Sequence, residues 1–542
     1  MALALFAQSG MPAFDVPFKF PLFLSGNFAE VRSNHFHAGL DFKTQGVSGK
    51  PIYVIADGSI VRVKVSPGGY GRALYVLHDN GYMTVYGHLS RFPEVIDAEV
   101  RAKQYADEVF AVDISFPAGK YRVKRGDILA RAGNTGYSFG PHLHFEVRSA
   151  DGEELYNPMA LYKKNVTDTR PPVAHAIALY PREGRGVVAN TTNNVVCKVQ
   201  NGSLPDTLTV WGHVGFGVRA TDYMDGTQNK YGVYEAELYV DDSLRFSSRM
   251  DNFSYSENRL INAWVDYEQY VLGKGDFLRS FLLPNNPLRM LQADDAGGWV
   301  NFDEERLYKV EYRLRDYHGN TAVYNFFVEG RACDIPVAGE KRIKWYLDNR
   351  IFADGLTLEI PRGALFESVN LDVQVEYDSI SPIYKIGGEY YPLWHKGHLT
   401  IDVPQAMRSL ADKCYIKRVA GKKSYYAGGV VEDGAIFADI YNLGTYTVAV
   451  DTVGPRLKAL NEKQWPVKGR IRFTLTDKES AIASFKGYID DKFVLFEYSS
   501  KTGELVCDAK REGVKAGKHQ LKVVATDDLG NITVVEKTIN IR

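Results

Sequence analysis

Apolar and polar residues alternate along much of this chain, the period expected of strands that bury one face. GPHLHFEV at 140–147 is the clearest case, with Leu143, Phe145 and Val147 on one side and His142, His144 and Glu146 on the other. ALYVLHDNGYMTVYGHL (73–89) alternates on both flanks of Asn80-Gly81 and predicts a hairpin with that pair as a two-residue turn. In this register Tyr82, Thr84, Tyr86 and His88 share one face of the return strand, and His78 falls on the other. Further strands are predicted in LTLEIPRGALF, HLTIDVP and GTYTVAV, between 335 and 450. VIDAEVRAKQYADEVF (95–110) breaks the pattern. Its charge-rich spacing predicts an inserted helix or lid.

At 542 residues the chain exceeds one ordinary core. An internal repeat divides its later part. TDTRPPV (167–173) is echoed by VDTVGPRL (450–457), TDYMDGTQNKYGVYEAELYVDD (221–242) by TDKESAIASFKGYIDD (476–491), and VEYRLRDYHGNTAV (310–323) by LKVVATDDLGNITV (521–534). Each copy opens on a proline linker and ends in strand, Asp-x-x-Gly-Asn turn, strand, as in an immunoglobulin-like sandwich. The reading is mainly β, with boundaries at 11–165, 166–332 (carrying an insertion at about 249–300), 333–450 and 451–542. An N-terminal sheet domain precedes three β-sandwich-like domains, which the proline-led boundaries predict to fold independently. The repeated turn admits calcium at Asp316 and Asn320, or at Asp527 and Asn531; a plain Asx-type turn is the leading reading.

Composition narrows the function. Lys and Arg (65) balance Asp and Glu (66), so no basic field calls for nucleic acid. Cys197, Cys333, Cys414 and Cys507 are scattered and predict neither a disulfide framework nor a thiolate metal site. No apolar run approaches the roughly 18 residues of a membrane span. MALALFAQSG at 1–10, a short apolar run without a basic n-region, reads either as the remnant of a secretion signal, which implies export, or as a frayed N-terminal segment.

Histidine is unevenly spread: six of twelve (His35, His37, His78, His88, His142 and His144) lie between 35 and 144. In NHFHAGLDF, Gly39 argues against a helix, so His37 and Asp41 are presented from a strand end and its turn. With one histidine of the later pair they make two imidazoles and a carboxylate, the donor set of a catalytic zinc with one position left to water. The bland alternative for the pair is a solvated polar face. His88 sits beside a glycine at a strand end, where function concentrates; His78 is read as packed. Glu146 is either a carboxylate that orients a ligand or a surface ion pair. His395 and His398, in WHKGH, have no third ligand beside them in sequence.

HAGLD, YGHL and GNTGYSFGPHLHFEV together resemble the signatures of the lysostaphin/LytM-type zinc metalloendopeptidases, over about residues 30–160. The resemblance implies zinc held by His37, Asp41 and His144, with His88 and His142 as unligated catalytic histidines. It implies hydrolysis of peptide bonds in bacterial peptidoglycan (cross-links or stem peptides) by an exported protein, periplasmic or extracellular. The β-domains would then meet cell-envelope partners. Ser138-Phe139-Gly140-Pro141 departs from the family's Ser-Thr-Gly-Pro and places a bulky aromatic at the groove rim. The alternative is a non-catalytic wall-binding or amidase-activating protein on the same fold. Retention of all five residues argues against it.

Overall fold

The computed structural model describes residues 14–378, 380–388 and 390–542; the segment read as a secretion signal lies outside them. The N-terminal unit is built on strands β1 (Leu24–Gly26), β2 (Leu40–Lys43), β3 (Gly58–Val65), β4 (Arg72–His78), β5 (Tyr82–Gly87), β6 (Tyr121–Val123) and β7 (His142–Ser149). They run in the order β1-β2-β7-β5-β4-β3-β6, every pair antiparallel. The alternation in β7 resolves as its residue types require. Leu143, Phe145 and Val147 have no exposed surface and face the core, where Phe145 meets Phe42, Tyr86 and Tyr162. His144 and Glu146, on the opposite face, are buried as well, so this polar face is not a solvated one.

The β4–β5 hairpin corrects the sequence register. Leu77 pairs with Met83, which leaves Asp79, Asn80 and Gly81 as a three-residue turn with Gly81 left-handed at φ 85°. Three-residue hairpins of this kind place glycine where a side chain would be strained. The extra residue moves His78 onto the face of Thr84, whose hydroxyl lies 2.7 Å from its Nε2.

Helix α1 (Glu94–Asp107) follows the hairpin, starting after Pro93. It buries Ile96, Val100 and Gln104, four residues apart on one stripe. Its polar side meets the end of the chain: Arg101 bonds the Glu512 carboxylate at 3.0 Å, and Lys486 bonds Glu108 at 2.9 Å. The predicted insertion is thus a helix bound to the last β-unit.

Residues 173–330 form a second ten-stranded sheet. Residues 349–450 form two five-stranded sheets around a core that includes Leu358, Ile401 and Tyr446. Residues 456–541 form two four-stranded sheets around Phe473, Leu505 and Val523. These last two cores are separate, but the first two units share one. Strand β8 (Glu154–Tyr156) pairs with β7, and strand β9 (Asn252–Ser254), from the insertion, pairs with β8. Phe253 packs against Phe28 and Phe36, and Trp264 against Phe36. The aromatic face of 28–36 is thus covered by residues from beyond 250, and the two units pack as one core.

Candidate metal centre

The first two units hold the loop that carries His37. Asn258 Oδ1 accepts the Phe36 amide at 2.9 Å, and the His37 amide reaches the Glu30 carbonyl at 2.9 Å. Gly39 lets β2 press against β7, since a Cβ there would stand 2.1 Å from the Phe145 carbonyl oxygen. The β2–β7 register places Asp41 opposite His144. On the other side of β7, His144 faces Gly87, whose missing side chain leaves room for the imidazole.

Three atoms converge. His37 Nε2 lies 3.0 Å from Asp41 Oδ1 and 3.0 Å from His144 Nδ1, and His144 Nδ1 lies 2.9 Å from Asp41 Oδ1. The far side of each ring fixes its tautomer. His37 Nδ1 donates to the Asn27 carbonyl at 2.7 Å, and His144 Nε2 donates to Glu146 Oε1 at 2.8 Å. A carbonyl or a carboxylate can only accept, so both inward nitrogens carry lone pairs when the rings are neutral. Two lone pairs and a carboxylate oxygen aimed at one buried point repel one another unless a cation stands between them. These residues fit a metal.

Electrostatics agrees. Burial disfavours a charged Asp41, yet His37 and His144 hold its carboxyl well below the ordinary range. Burial also works against a charge on His144, but Asp41 and Glu146 lift it to about 9. The pocket thus draws in positive charge. Glu146 is itself deeply buried; Arg148, His144 and Tyr70 overcome that burial and hold it at about 2. Its Oε2 accepts Arg148 Nε at 2.5 Å, and its Oε1 also accepts the Tyr70 hydroxyl. Of the two sequence readings of Glu146, the orienting carboxylate matches this geometry.

His142 and His88 stand beside the convergence point, their rings 4.6 Å apart. His142 Nδ1 lies 2.8 Å from the Gly140 carbonyl and His88 Nδ1 lies 2.8 Å from the Thr135 carbonyl, so in each neutral ring Nε2 is the acceptor. His142 Nε2 lies 3.5 Å from Asp41 Oδ1. Burial pushes both rings down, His88 to about 3, which keeps them neutral. His88 reaches the site because its backbone is left-handed (φ 59°) just past the end of β5, so it leaves the face of Tyr86. His78 is elsewhere, between the Ala56 carbonyl and Thr84. His395 stacks on Trp394, and His398 pairs with Asp439 at an exposed position; among the described residues the two join no metal-ligand group.

Sequence reasoning did not single out Tyr70, whose ring stacks on His144 at 4.9 Å, or Asn27. Tyr70 carried a signal, since an aromatic inside SPGGYG has no local reason to be there. Nor did it find Lys501, which reaches from the last unit to donate to the Ser138 carbonyl and lies 4.3 Å from the Phe139 ring centroid.

Sheet and site together present a buried His-Asp-His donor set on one face of an antiparallel β-sheet. Residues 35–106 match the model of "Peptidase family M23", so the chain carries a domain of that family, the lysostaphin/LytM type; residues 340–451 match the model of a "Zu5-like domain". The chain is 32% identical over 125 residues to the DD-carboxypeptidase/endopeptidase Mpg of Neisseria meningitidis, covering 23% of this chain and 22% of that protein. It is 35% identical over 111 residues to the peptidoglycan DD-endopeptidase ShyB of Vibrio cholerae, covering 20% of each. The chain spans about a fifth of the length of these curated relatives. Among solved structures, the catalytic domain of lysostaphin from Staphylococcus simulans is 26% identical, covering 25% of this chain and 89% of that one at a TM-score of 0.19. Zinc is the cofactor of the family, and the His-Asp-His donor set suits it.

Proposed function

We propose that this protein is a zinc-dependent endopeptidase that hydrolyses peptide bonds of bacterial peptidoglycan outside the cytoplasm. The observation that carries the proposal is the meeting of three acceptor atoms, from His37, Asp41 and His144, next to the imidazoles of His88 and His142, which burial keeps neutral. The substrate class is supported by the relatives from Neisseria and Vibrio, a DD-carboxypeptidase/endopeptidase and a peptidoglycan DD-endopeptidase.

In this reading His37, Asp41 and His144 hold the ion. Bound there, zinc lowers the pKa of a coordinated water and polarises the scissile carbonyl. The chain's own residues then manage the protons. Of His142 and His88, each with Nε2 free to accept, one takes the proton of the attacking water. Once protonated, either ring can donate to the developing oxyanion or to the leaving amine. Glu146 keeps the His144 tautomer fixed, with Arg148 and Tyr70 holding Glu146 in turn.

The test is metal content together with release of soluble fragments from purified sacculi. The wild-type chain should hold zinc at this centre and solubilise sacculi, and chelation should stop it. A zinc-loaded chain that leaves sacculi and their isolated cross-linked peptides intact would overturn the assignment.

A further inference from the structure

The two repeat copies each gather carboxylates at the turn that closes the unit. In the second copy these are Asp451, Asp477 and Asp527; in the first they are Asp168, Asp316 and His318, with Asp222 beside them. The Asp-x-x-Gly-Asn turn itself needs no ion. Asp316 Oδ1 accepts the amides of Gly319 and Asn320, and Asp527 Oδ1 accepts those of Leu529 and Asn531.

The copies differ in what surrounds that turn. In the second, Ser480 donates its hydroxyl to Asp451 Oδ2 at 2.8 Å, and the amides of Glu479 and Ser480 donate to Asp477 Oδ1. The repeat aligns Ser480 with Asp225, which cannot donate when ionised and instead accepts the amide and hydroxyl of Thr169. Asp168 Oδ2, the counterpart of Asp451 Oδ2, is therefore buried with no hydrogen-bond partner, its side chain fully covered. Asp222 Oδ1 is buried and unpartnered as well.

His318 completes the set, at the position where the second copy has Leu529. Its Nε2 lies 2.9 Å from the Val166 carbonyl and 3.0 Å from that of Lys163, so Nε2 carries the proton. Nδ1 is then a lone pair, buried, without a hydrogen-bond partner, and 3.9 Å from Asp168 Oδ2. Acceptors face acceptors across a gap too long for a hydrogen bond. Burial, compounded by the neighbouring acids, pushes Asp168 up and Asp222 up to about 8. These carboxyls cannot all stay charged here: either a proton or a cation must stand among them.

We propose that Asp168, Asp316 and His318, with Asp222 alongside, bind a divalent transition-metal ion at the junction between the peptidase sheet and the unit that follows. Mixed imidazole and carboxylate donors favour an ion of the manganese or zinc kind over calcium, which prefers oxygen alone. Asp168 lies in the linker, and His318 grips the carbonyls of Lys163 and Val166, so the ion would fasten the linker to the second sheet.

The test counts manganese bound to the full-length chain after chelation and dialysis, read by the loss of the free-ion electron paramagnetic signal. The wild-type chain should take two tight equivalents, and the His144→Ala chain should keep one. In that background His318→Leu, which installs the residue of the second copy, should weaken the remaining site at least about tenfold. Asp225→Ser, which restores the missing donor, should weaken it too. Thermal melts of each variant check folding, and manganese should raise the melting temperature of the His144→Ala chain but not of the His318→Leu double variant. Absence of tight manganese in the folded His144→Ala chain would overturn the proposal, leaving a shared proton as the neutralising charge. Retention of the ion after both His318→Leu and Asp168→Asn would overturn it equally.

Discussion

Glu146 accepts the Nε2 proton of His144 at 2.8 Å, two residues along the same strand and on the same face. The pair decides which nitrogen of His144 faces Asp41. Replacing Glu146 with Gln removes the charge that holds this tautomer and leaves Arg148 without its counter-ion. Zinc affinity, measured by competition with a chromophoric chelator, should fall about 10- to 100-fold. Tyr70→Phe removes one hydrogen bond to the same carboxylate and should cost less. Unchanged affinity in Glu146→Gln would mean that the carboxylate only balances Arg148.

His142 and His144 should separate by what each loses. His144→Ala, like His37→Ala and Asp41→Ala, should abolish zinc at this centre. His142→Ala and His88→Ala should keep it and lose about 10²- to 10⁴-fold in turnover, the usual contribution of a general acid or base. Because burial holds both free rings below the ordinary imidazole value of 6.5, the acid limb of turnover due to either ring should lie below that value. Metal analysis in which His142→Ala lost the ion and His144→Ala kept it would exchange the two roles.

His78→Ala should leave zinc and turnover intact and cost stability instead. Its ring joins the Ala56 carbonyl to Thr84 in a buried place, and stranding such groups costs about 1–3 kcal/mol, readable as a lowered urea midpoint. A drop in turnover matching that of His88→Ala would contradict this placement.

The same histidine shows where sequence was legible and where it was not. Alternation in 142–147 is written in residue types alone, so the pairing of His142, His144 and Glu146 on one face could be read directly. The hairpin could not. Asn80-Gly81 fits a two-residue turn as well as the last two positions of a three-residue one, and a shift of one residue reverses which face His78 occupies. The observed register puts His78 on the face of Thr84, and its ring is held there, away from the metal centre, by the Ala56 carbonyl and the Thr84 hydroxyl. His88 joins the site through a left-handed backbone that no periodicity reveals. The Glu146–Arg148–Tyr70 chain and the reach of Lys501 depend on contacts across 76 and 363 positions, beyond any local pattern.

Phe253→Ala should disturb the peptidase unit although it lies outside it in sequence. Phe253 is fully buried against Phe28 and Phe36, and truncations of this kind cost about 3–5 kcal/mol. A chain ending at residue 165 exposes the same aromatic face and the free edge of β8. It should aggregate or bind a hydrophobic dye on expression. A soluble, zinc-loaded chain of that length with a sharp melt would show that the second unit only decorates the first.

Through Lys501 the last unit reaches the loop that leads into β7. Its ammonium donates to the Ser138 carbonyl and lies 4.3 Å from the ring centroid of Phe139, an aromatic that is 84% exposed. Neighbouring Ser500 donates its amide to the Pro67 carbonyl at 3.0 Å. The Ser138 hydroxyl lies 2.6 Å from Asn134 Oδ1 and 3.1 Å from His142 Nδ1, so this contact ends on the loop that leads to a proposed catalytic ring at the start of β7. None of these atoms is among the three that would hold zinc, so Lys501→Ala should leave metal content unchanged. Freeing the rim should raise KM for a soluble stem-peptide substrate more than it lowers kcat, because the ring keeps its Gly140 partner while the wall beside it loosens. Lys501→Arg can still donate to the carbonyl and stack on Phe139, and should recover most of the loss. If Lys501→Ala instead lowers KM, the contact closes the groove and does not shape it; if neither constant moves, the last unit has no part in substrate binding through this residue.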